Sequence, residues 1–266
     1  MKLGIVGGGR AAWAFGSGWR TAGRPVSGIA LREGSKSELP ERLRASRTSL
    51  DQLAADSDLI LVAVSDPAVA QVARDLGSRV AGGTVLFHAS GSLGSEVLGL
   101  ETAFSLHPLR SLPPVGTPVD LRGTLLVFEG PPGARELARE IARTLGGRFD
   151  EIDPAAKALY HAAAVMGSNH VAALVEAAAD LLARCGLEES SCRPALASLA
   201  ESAIANWAGA AAPERFTGPV ARGDAATVER HLEALEAADP ARAEIYRRLS
   251  AELASAVEKS GGATRK

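Results

Sequence analysis

The sequence predicts an α/β protein, with an N-terminal doubly wound, mostly parallel sheet of the Rossmann type followed by an all-α domain. Three observations predict it. Short apolar runs alternate with helical stretches over residues 1–150, as expected of βαβ units. A glycine run directly follows the first apolar run. After Asp153-Pro154, the chain continues in long stretches rich in Ala and Leu with helical spacing and no convincing strand.

The strands of the N-terminal half are predicted from apolar runs that mostly lack polar alternation, which is typical of strands covered on both faces. Helices are predicted between them, and Asp66-Pro67 supplies a start signal in which Asp66 caps the helix and Pro67 takes its first position. The expected strands are 2–6, 25–31, 58–64, 84–88, 102–105, 124–128 and 148–152, and the expected helices are 10–22, 67–77 and 133–145.

The C-terminal half is predicted to hold four helices, 154–184, 190–211, 224–237 and 240–258. Gly186, Thr217-Gly218-Pro219 and Pro240 separate them. We therefore expect a nucleotide-binding domain over 1–152, a helical domain for substrate binding and dimerisation over 153–259, and a disordered tail over 260–266.

Composition excludes several classes of protein. Of the 266 residues, 46% are hydrophobic and 23% are charged, which does not fit a disordered or fibrous chain. The formal net charge of −2 gives no reason to expect binding to nucleic acid or to a membrane. Two cysteines, Cys185 and Cys192, are too few for a disulfide framework or a zinc site. We expect a cytoplasmic protein without a metal.

The strongest local motif is a G-x-G-x-x-A run between the first strand and the first helix. In this context Gly7 permits the tight turn, Gly9 permits close approach of a pyrophosphate, and Ala12 permits close packing of helix on strand. The helix N-terminus adds free N–H groups and a positive dipole end. The candidate dinucleotide-binding residues of this run are Gly7, Gly8, Gly9, Arg10, Ala11 and Ala12.

The end of the second strand distinguishes NADP from NAD. Arg32 falls where a cation would pair with a 2′-phosphate, and Ser35 is placed to assist, which favours NADP(H) over NAD(H). A shift of one residue would instead put Glu33 on the ribose hydroxyls of NAD. Further cofactor contacts are expected where the third and fourth strands end, at Val64, Ser65, Asp66 and Ser90.

Substrate-binding residues are expected in two segments. After the fifth strand, Arg110 is suited to clamp a carboxylate and His107 to bind a substrate oxygen, with Ser111 beside them. In the first long helix, Lys157 and His161 share a face with Ser168, and Asn169 follows. We expect Lys157 and His161 to be catalytic, because they would polarise and protonate a carbonyl. The non-functional alternatives are a surface loop stiffened by proline for the segment after the fifth strand, and a solvated side chain for Lys157.

In combination these segments resemble the Rossmann-like oxidoreductase family that carries domain of unknown function 2520. The resemblance rests on Gly7 to Ala12, Val64-Ser65-Asp66-Pro67, Ser105 to Ser111, the Lys157-Ala-Leu-Tyr160-His161 segment, and Thr217-Gly218-Pro219 through Arg222-Gly223-Asp224. It implies similarity to ketopantoate reductase, pyrroline-5-carboxylate reductase and the 6-phosphogluconate dehydrogenase superfamily. Ketopantoate reductase has a catalytic Lys followed four residues later by Asn, which implies the catalytic role for Lys157 and puts His161 at the Asn position.

The expected function is NADPH-dependent reduction of a small carbonyl compound that bears a carboxylate, such as ketopantoate. Two alternatives remain open. One is NAD(P)-dependent dehydrogenation of a 3-hydroxy acid or a prephenate-like compound, and the other is a non-catalytic NADP(H) sensor. By analogy with the superfamily, a homodimer through the helical domain is expected.

Overall fold

The computed structural model of the chain describes residues 1–80, 83–211 and 214–262. The described residues form two compact units, of which the first ends at Ser168 and the second begins at Asn169. The first unit contains the whole sheet.

Seven strands form one sheet in the order β2-β1-β3-β4-β5-β6-β7. All neighbouring pairs are parallel except β5 and β6, so the predicted mostly parallel, doubly wound sheet is confirmed. The chain turns in opposite directions from β1 and β3, which is the switch point where open α/β sheets bind ligands. The strands are β1 Leu3–Val6, β2 Val26–Ala30, β3 Leu59–Val62, β4 Val85–His88, β5 Phe104–Pro108, β6 Leu125–Glu129 and β7 Arg148–Glu151.

The fifth strand begins and ends later than the sequence predicts. His107 and Pro108 were expected in a loop after the strand, but both lie within β5, opposite Val127 and Leu126 of β6. The Leu109 N–H donates to the Leu125 carbonyl, so the neighbouring Pro108 nitrogen faces away from β6. On that side, pairing with β4 has already ended at Ser105. Proline is therefore tolerated, because no ladder hydrogen bond is lost.

Helices cover both faces of the sheet. Alternate strand residues point to opposite faces, so Leu59 and Leu61 join one apolar cluster while Ile60 and Val62 join the other. The first cluster includes residues of α1, α2 and α5, and the second includes residues of α3 and α4. The helices of the first unit are α1 Arg10–Thr21, α2 Leu39–Leu43, α3 Leu50–Asp56, α4 Asp66–Gly77, α5 Arg135–Thr144 and α6 Lys157–Val165.

The second unit is helical. A π-helical turn, Met166–His170, follows α6, and the remaining helices are α7 Val171–Arg184, α8 Glu189–Gly209, α9 Gly218–Ala221, α10 Ala225–Ala238 and α11 Pro240–Gly262. Only three hydrophobic residues in the described part of this unit are fully buried: Ala179, Cys192 and Ala243. None of the described helices combines the length and the apolar character that crossing a bilayer requires.

Several boundaries differ from the expected ones. The short helices α2 and α3 were not predicted, and α9 begins at a segment expected to be a turn. Helix α6 belongs to the first compact unit, whereas the sequence grouped it with the helical half. The helix α11 continues to Gly262, into the expected tail, and residues 263–266 lie outside the described part of the chain.

Candidate active site

The glycine run forms the turn between β1 and α1. Gly7 has φ +112°, and a Cβ there would lie 2.2 Å from the Ala63 carbonyl oxygen at the end of β3. A Cβ on Gly8 would lie 2.4 Å from the Ser37 hydroxyl, which donates to the Gly8 carbonyl over 2.9 Å. Only glycine is accommodated at these two positions without a shift of neighbouring atoms. The structure explains both residues by packing alone.

Gly9 is different, because a Cβ there would meet no atom within 4 Å. Gly9 is the N-cap residue of α1, and no described side chain caps the first turn of that helix. The next two residues, Arg10 and Ala11, lie in that turn, whereas Ala12 is fully buried against the sheet. An open glycine before an uncapped helix is a surface that suits an anionic group.

The turn after β2 is exposed and carries several cations. Arg32 lies in a turn closed by the Ser35 N–H, which donates to the Arg32 carbonyl over 3.2 Å. The guanidinium of Arg47 donates to the same carbonyl over 3.0 Å. Sequence reasoning missed Arg47, because fifteen residues separate it from Arg32 along the chain. The turn therefore presents two guanidinium groups.

The segment after β3 joins the loop after β4. The Asp66 carboxylate accepts hydrogen bonds from the hydroxyls of Ser90 (3.0 Å) and Ser92 (2.5 Å). Asp66 was expected to cap α4, but it is the first residue of the helix and Ser65 is the N-cap residue. Because its carboxylate binds the two serines, Asp66 holds the two crossover loops together. Val64 lies directly before this junction.

His88 is fully buried at the end of β4. Its Nδ1 accepts from the Ser90 N–H over 3.2 Å, so its Nε2 carries the proton that is donated to the Gly94 carbonyl over 3.1 Å. Burial lowers the pKa of His88 to about 4. The ring is therefore neutral at neutral pH and supports the loop after β4.

Helix α6 lies against the same side of β5 as Ser105 and His107. These two strand residues are two positions apart and so point the same way. Lys157 and Tyr160, one helical turn apart on α6, contact them in order. The Lys157 amine donates to the Ser105 hydroxyl over 2.6 Å, and the Tyr160 hydroxyl lies 2.6 Å from His107 Nδ1. The two-residue spacing on the strand and the three-residue spacing on the helix thus pair Lys157 with Ser105 and Tyr160 with His107.

Lys157 belongs to a buried polar cluster. The residue is 5% exposed, and its amine lies 3.9 Å from the carboxylate of Glu129, which is 1% exposed. Glu129 also accepts from the backbone N–H and the hydroxyl of Ser95, both over 2.7 Å. Burial lowers the pKa of Lys157, and the charge of Glu129 opposes that shift. Because the amine is buried and held by Ser105, the alternative of a solvated lysine is wrong.

His107 and His161 meet beside Gly91. Their ring centroids are 6.4 Å apart, and a Cβ on Gly91 would lie 2.9 Å from His107 Nε2 and 2.6 Å from His161 Nδ1. Burial, followed by the charge of Lys157, lowers the pKa of His107 to about 4. The structure thus brings together two histidines that the sequence placed in separate segments.

The other predicted substrate residues do not join this group. Arg110 and Ser111 are exposed, and the Arg110 guanidinium donates to the Thr124 hydroxyl over 3.5 Å. The Ser168 hydroxyl donates to the Ala164 carbonyl of its own helix, and Asn169 is the first residue of the second unit. Across the residues that the structure describes, no group of three or more His, Cys, Asp or Glu is suited to hold a metal ion.

Comparison with known proteins shows that two family models match parts of the chain. Residues 1–111 match the family Rossmann-like domain, and residues 124–253 match the family Domain of unknown function (DUF2520). None of the curated proteins matches this sequence.

Several solved structures share the fold over nearly the whole chain. Protein TM1727 from Thermotoga maritima is 24% identical, with a TM-score of 0.77 and coverage of 97% of this chain and 98% of that one. A 1-pyrroline-5-carboxylate reductase from Streptococcus pyogenes is 17% identical, with a TM-score of 0.67 and coverage of 98% and 96%. An imine reductase from Myxococcus stipitatus in complex with NADP+ is 17% identical, with a TM-score of 0.61 and coverage of 99% and 95%.

Proposed function

We propose that this chain, which belongs to the Rossmann-like proteins that carry domain of unknown function 2520, is an NADPH-dependent reductase of a small carbonyl compound bearing a carboxylate. One observation carries the proposal. The open glycine Gly9 and the His107–His161 pair both lie where the parallel strands of one sheet end. A dinucleotide and a reducible group placed at that edge would be neighbours.

The residues at the glycine turn fit a dinucleotide. A pyrophosphate requires close approach to backbone N–H groups, and the space next to Gly9 is free of protein atoms within 4 Å of a Cβ. The guanidinium of Arg32, supported by Ser35 and joined by Arg47, suits a 2′-phosphate. When bound, NADPH would supply the hydride for the reduction.

The polar groups near the end of β5 have separate roles in the reduction. His107 and His161 polarise the carbonyl oxygen. As the carbonyl carbon takes up the hydride, the oxygen takes up one proton, which is drawn from solvent through His161. The amine of Lys157 donates to the Ser105 hydroxyl on the same strand as His107, and its positive charge supports the polarisation of the carbonyl. Arg110 and Ser111, in the exposed segment after β5, bind the substrate carboxylate. Solvent water restores the proton after each turnover.

Two of the similar structures carry names that indicate reduction of a carbon–nitrogen double bond. The histidine pair serves an imine nitrogen as well as a carbonyl oxygen, because a neutral imidazole both donates and accepts hydrogen bonds. Cyclic imines are therefore the second candidate class of substrate.

The proposed function is tested by NADPH oxidation with the purified protein. Ketopantoate, other 2-oxo acids and cyclic imines are each supplied as substrate, with NADPH and NADH in parallel. Oxidation that requires ketopantoate and prefers NADPH is the expected result. Activity only in the reverse direction with hydroxy acids would favour a dehydrogenase, and NADPH binding without turnover on any substrate would favour a sensor.

Cofactor preference has its own test at Arg32. We expect Arg32→Ala to raise the Kd for NADPH about tenfold, equivalent to ~1.4 kcal/mol, while the Kd for NADH changes little. Titration of the two reduced cofactors by fluorescence measures both constants. Glu33→Ala is the matched control in the same exposed turn, and a Kd change confined to NADH in that control would reverse the assignment.

We also propose that the protein is a homodimer through its helical unit. Leu199, Ile204 and Trp207 in the second half of α8 are 63%, 52% and 52% exposed. Large apolar side chains gathered on one helix are typical of an interface between subunits.

A further inference from the structure

Tyr160 contacts His107 but belongs to none of the groups assigned so far. Its hydroxyl lies 2.6 Å from His107 Nδ1, and the two rings pack edge to face with centroids 5.6 Å apart. Tyr160 is half-buried on α6, and His107 is half-buried on β5. Such a short contact between two polar atoms fixes the position of the imidazole ring.

The direction of this hydrogen bond follows from the chemistry of the two groups. The lone pair of a neutral imidazole nitrogen is a better hydrogen-bond acceptor than a phenol oxygen, and a phenolate is a stronger base than an imidazole, so the phenol donates and keeps its proton. Burial raises the pKa of Tyr160 to about 12, which keeps the phenol protonated. The Tyr160 O–H therefore donates to Nδ1, and the single proton of the neutral His107 ring is on Nε2.

His107 Nε2 and His161 Nδ1 both lie against Gly91, which is possible because residue 91 has no side chain. Gly91 is buried, and an added methyl group would lie 2.9 Å from His107 Nε2 and 2.6 Å from His161 Nδ1. His161 Nδ1 is itself a buried atom without a hydrogen-bond partner among the described residues. Buried polar atoms are nearly always paired, so an unpaired one in this position points to a missing partner.

We propose that Tyr160 is a positioning residue that holds His107 in the Nε2–H form, and that His107 Nε2 and His161 Nδ1 together bind one polar atom of the substrate beside Gly91. The inference rests on the proposed reductase function and deepens it. The bound atom is the carbonyl oxygen or imine nitrogen that is reduced, because it accepts the hydrogen bond that Nε2–H donates. Gly91 is then a positioning residue, since only a residue without a side chain lets both imidazole rings lie this close to its backbone.

The tautomer is tested without any substrate or cofactor. Protein labelled with ¹⁵N in its histidines is examined by NMR, with His107 assigned through a His107→Gln variant. We expect a proton on Nε2 and none on Nδ1 in the wild type. In Tyr160→Phe we expect a measurable fraction of His107 to move to the Nδ1–H form, while His88, which is held by Ser90 and Gly94, keeps its tautomer as an internal control.

A proton on His107 Nδ1 in the wild type would overturn the proposal, even where Tyr160→Phe does not fold. So would an unchanged His107 tautomer in a folded Tyr160→Phe variant. Both results are independent of turnover, so they are distinguishable from failure of the reductase proposal, which would appear as absence of NADPH oxidation with an intact Nε2–H tautomer.

A second experiment addresses the contact at Gly91. We expect Gly91→Ala to leave NADPH binding unchanged and to reduce kcat/KM for the active carbonyl or imine substrate at least tenfold, because the methyl group would displace the two imidazole rings. Tyr160→Phe is expected to lower kcat about tenfold with little change in KM for NADPH. Unchanged kcat/KM in a folded Gly91→Ala variant would contradict the binding role.

Discussion

Among single residues, Lys157 has the least expected environment. The sequence predicted a catalytic lysine, and the structure places its amine in a buried cluster with Ser105 and Glu129. A cation at the first turn of a helix is disfavoured by the helix dipole, and a buried carboxylate nearby offsets that cost. Glu129 has no signal in the sequence, since it ends an apolar strand and its partners are far away along the chain.

This environment predicts a loss of stability when Lys157 is removed. Lys157→Met leaves Glu129 as a buried charge without a cation, and we expect the free energy of unfolding to fall by about 3 kcal/mol. Urea unfolding in a Trp207→Phe background measures it, because the remaining tryptophans, Trp13 and Trp19, lie in the first unit. The double variant with Glu129→Gln should lose less than the sum of the single variants, and strict additivity would show that the two groups do not interact.

His88 predicts a dependence of stability on pH. Its pKa is about 4 in the folded protein and 6.5 in the unfolded chain, so the folded state binds fewer protons between these values. The stabilisation is complete above pH 6.5 and is lost as the pH falls towards 4, by roughly 3 kcal/mol over the range. His107 has a shift in the same direction.

Urea unfolding of the wild type and of His88→Gln at a series of pH values checks this expectation. The glutamine amide retains a donor for the Gly94 carbonyl but does not titrate. The variant should therefore show a shallower decline in stability between pH 6.5 and 4. Equal slopes for the two proteins would mean that His88 does not titrate with folding.

At the scale of elements, two glycines in the turn between β1 and α1 have different surroundings. Gly7 has a positive φ and touches the end of β3, so its absence of a side chain serves the fold. Gly9 has φ −96° and open space around it. No contact within the described part of the protein therefore requires glycine at this position. The same motif thus contains a structural position and a position that we propose for cofactor binding.

Substitution at the two positions should have opposite effects. We expect Gly7→Ala to lower the free energy of unfolding by roughly 3 kcal/mol through backbone strain and the contact with Ala63. Gly9→Ala should change it by less than about 1 kcal/mol. It should nevertheless raise the Kd for NADPH about tenfold, as measured by fluorescence titration. A Gly9→Ala variant that binds NADPH normally would remove Gly9 from the cofactor site.

For the whole molecule, the second unit is notable for how little apolar surface it buries. Its described residues include only three fully buried hydrophobic ones, whereas Leu199, Ile204 and Trp207 are more than half exposed. A fold of this size is stabilised mainly by apolar burial, so association of two chains would supply part of what the unit lacks.

The proposed dimer gives a prediction for sedimentation. We expect the wild type to sediment as a dimer and the double variant Leu199→Glu/Trp207→Glu to sediment as a monomer, because charge in the centre of an interface is costly. Ser190→Glu, which adds charge to the exposed start of α8, is the control and should remain a dimer. A monomeric wild type at micromolar concentration would reject the proposal.

The sequence by itself determined the architecture of this protein and its glycine turn. All seven strands were predicted. Several of them, such as β1 and β3, are continuous apolar runs typical of buried parallel strands, and glycine, proline and helix caps mark the strand ends. The motif at Gly7 to Ala12 was readable because the turn, the strand and the helix are contiguous in the chain.

Only the tertiary structure decided which polar groups meet. His107 and Tyr160 are 53 residues apart, and Lys157 and Ser105 are 52 residues apart. Their pairing depends on the register of β5, where the sequence placed the strand end too early, and on the packing of α6 against it. Such contacts between distant residues leave no periodic pattern in either segment. The sequence therefore supplied the individual residues, and the fold decided that Tyr160 faces His107 and that Glu129 faces Lys157.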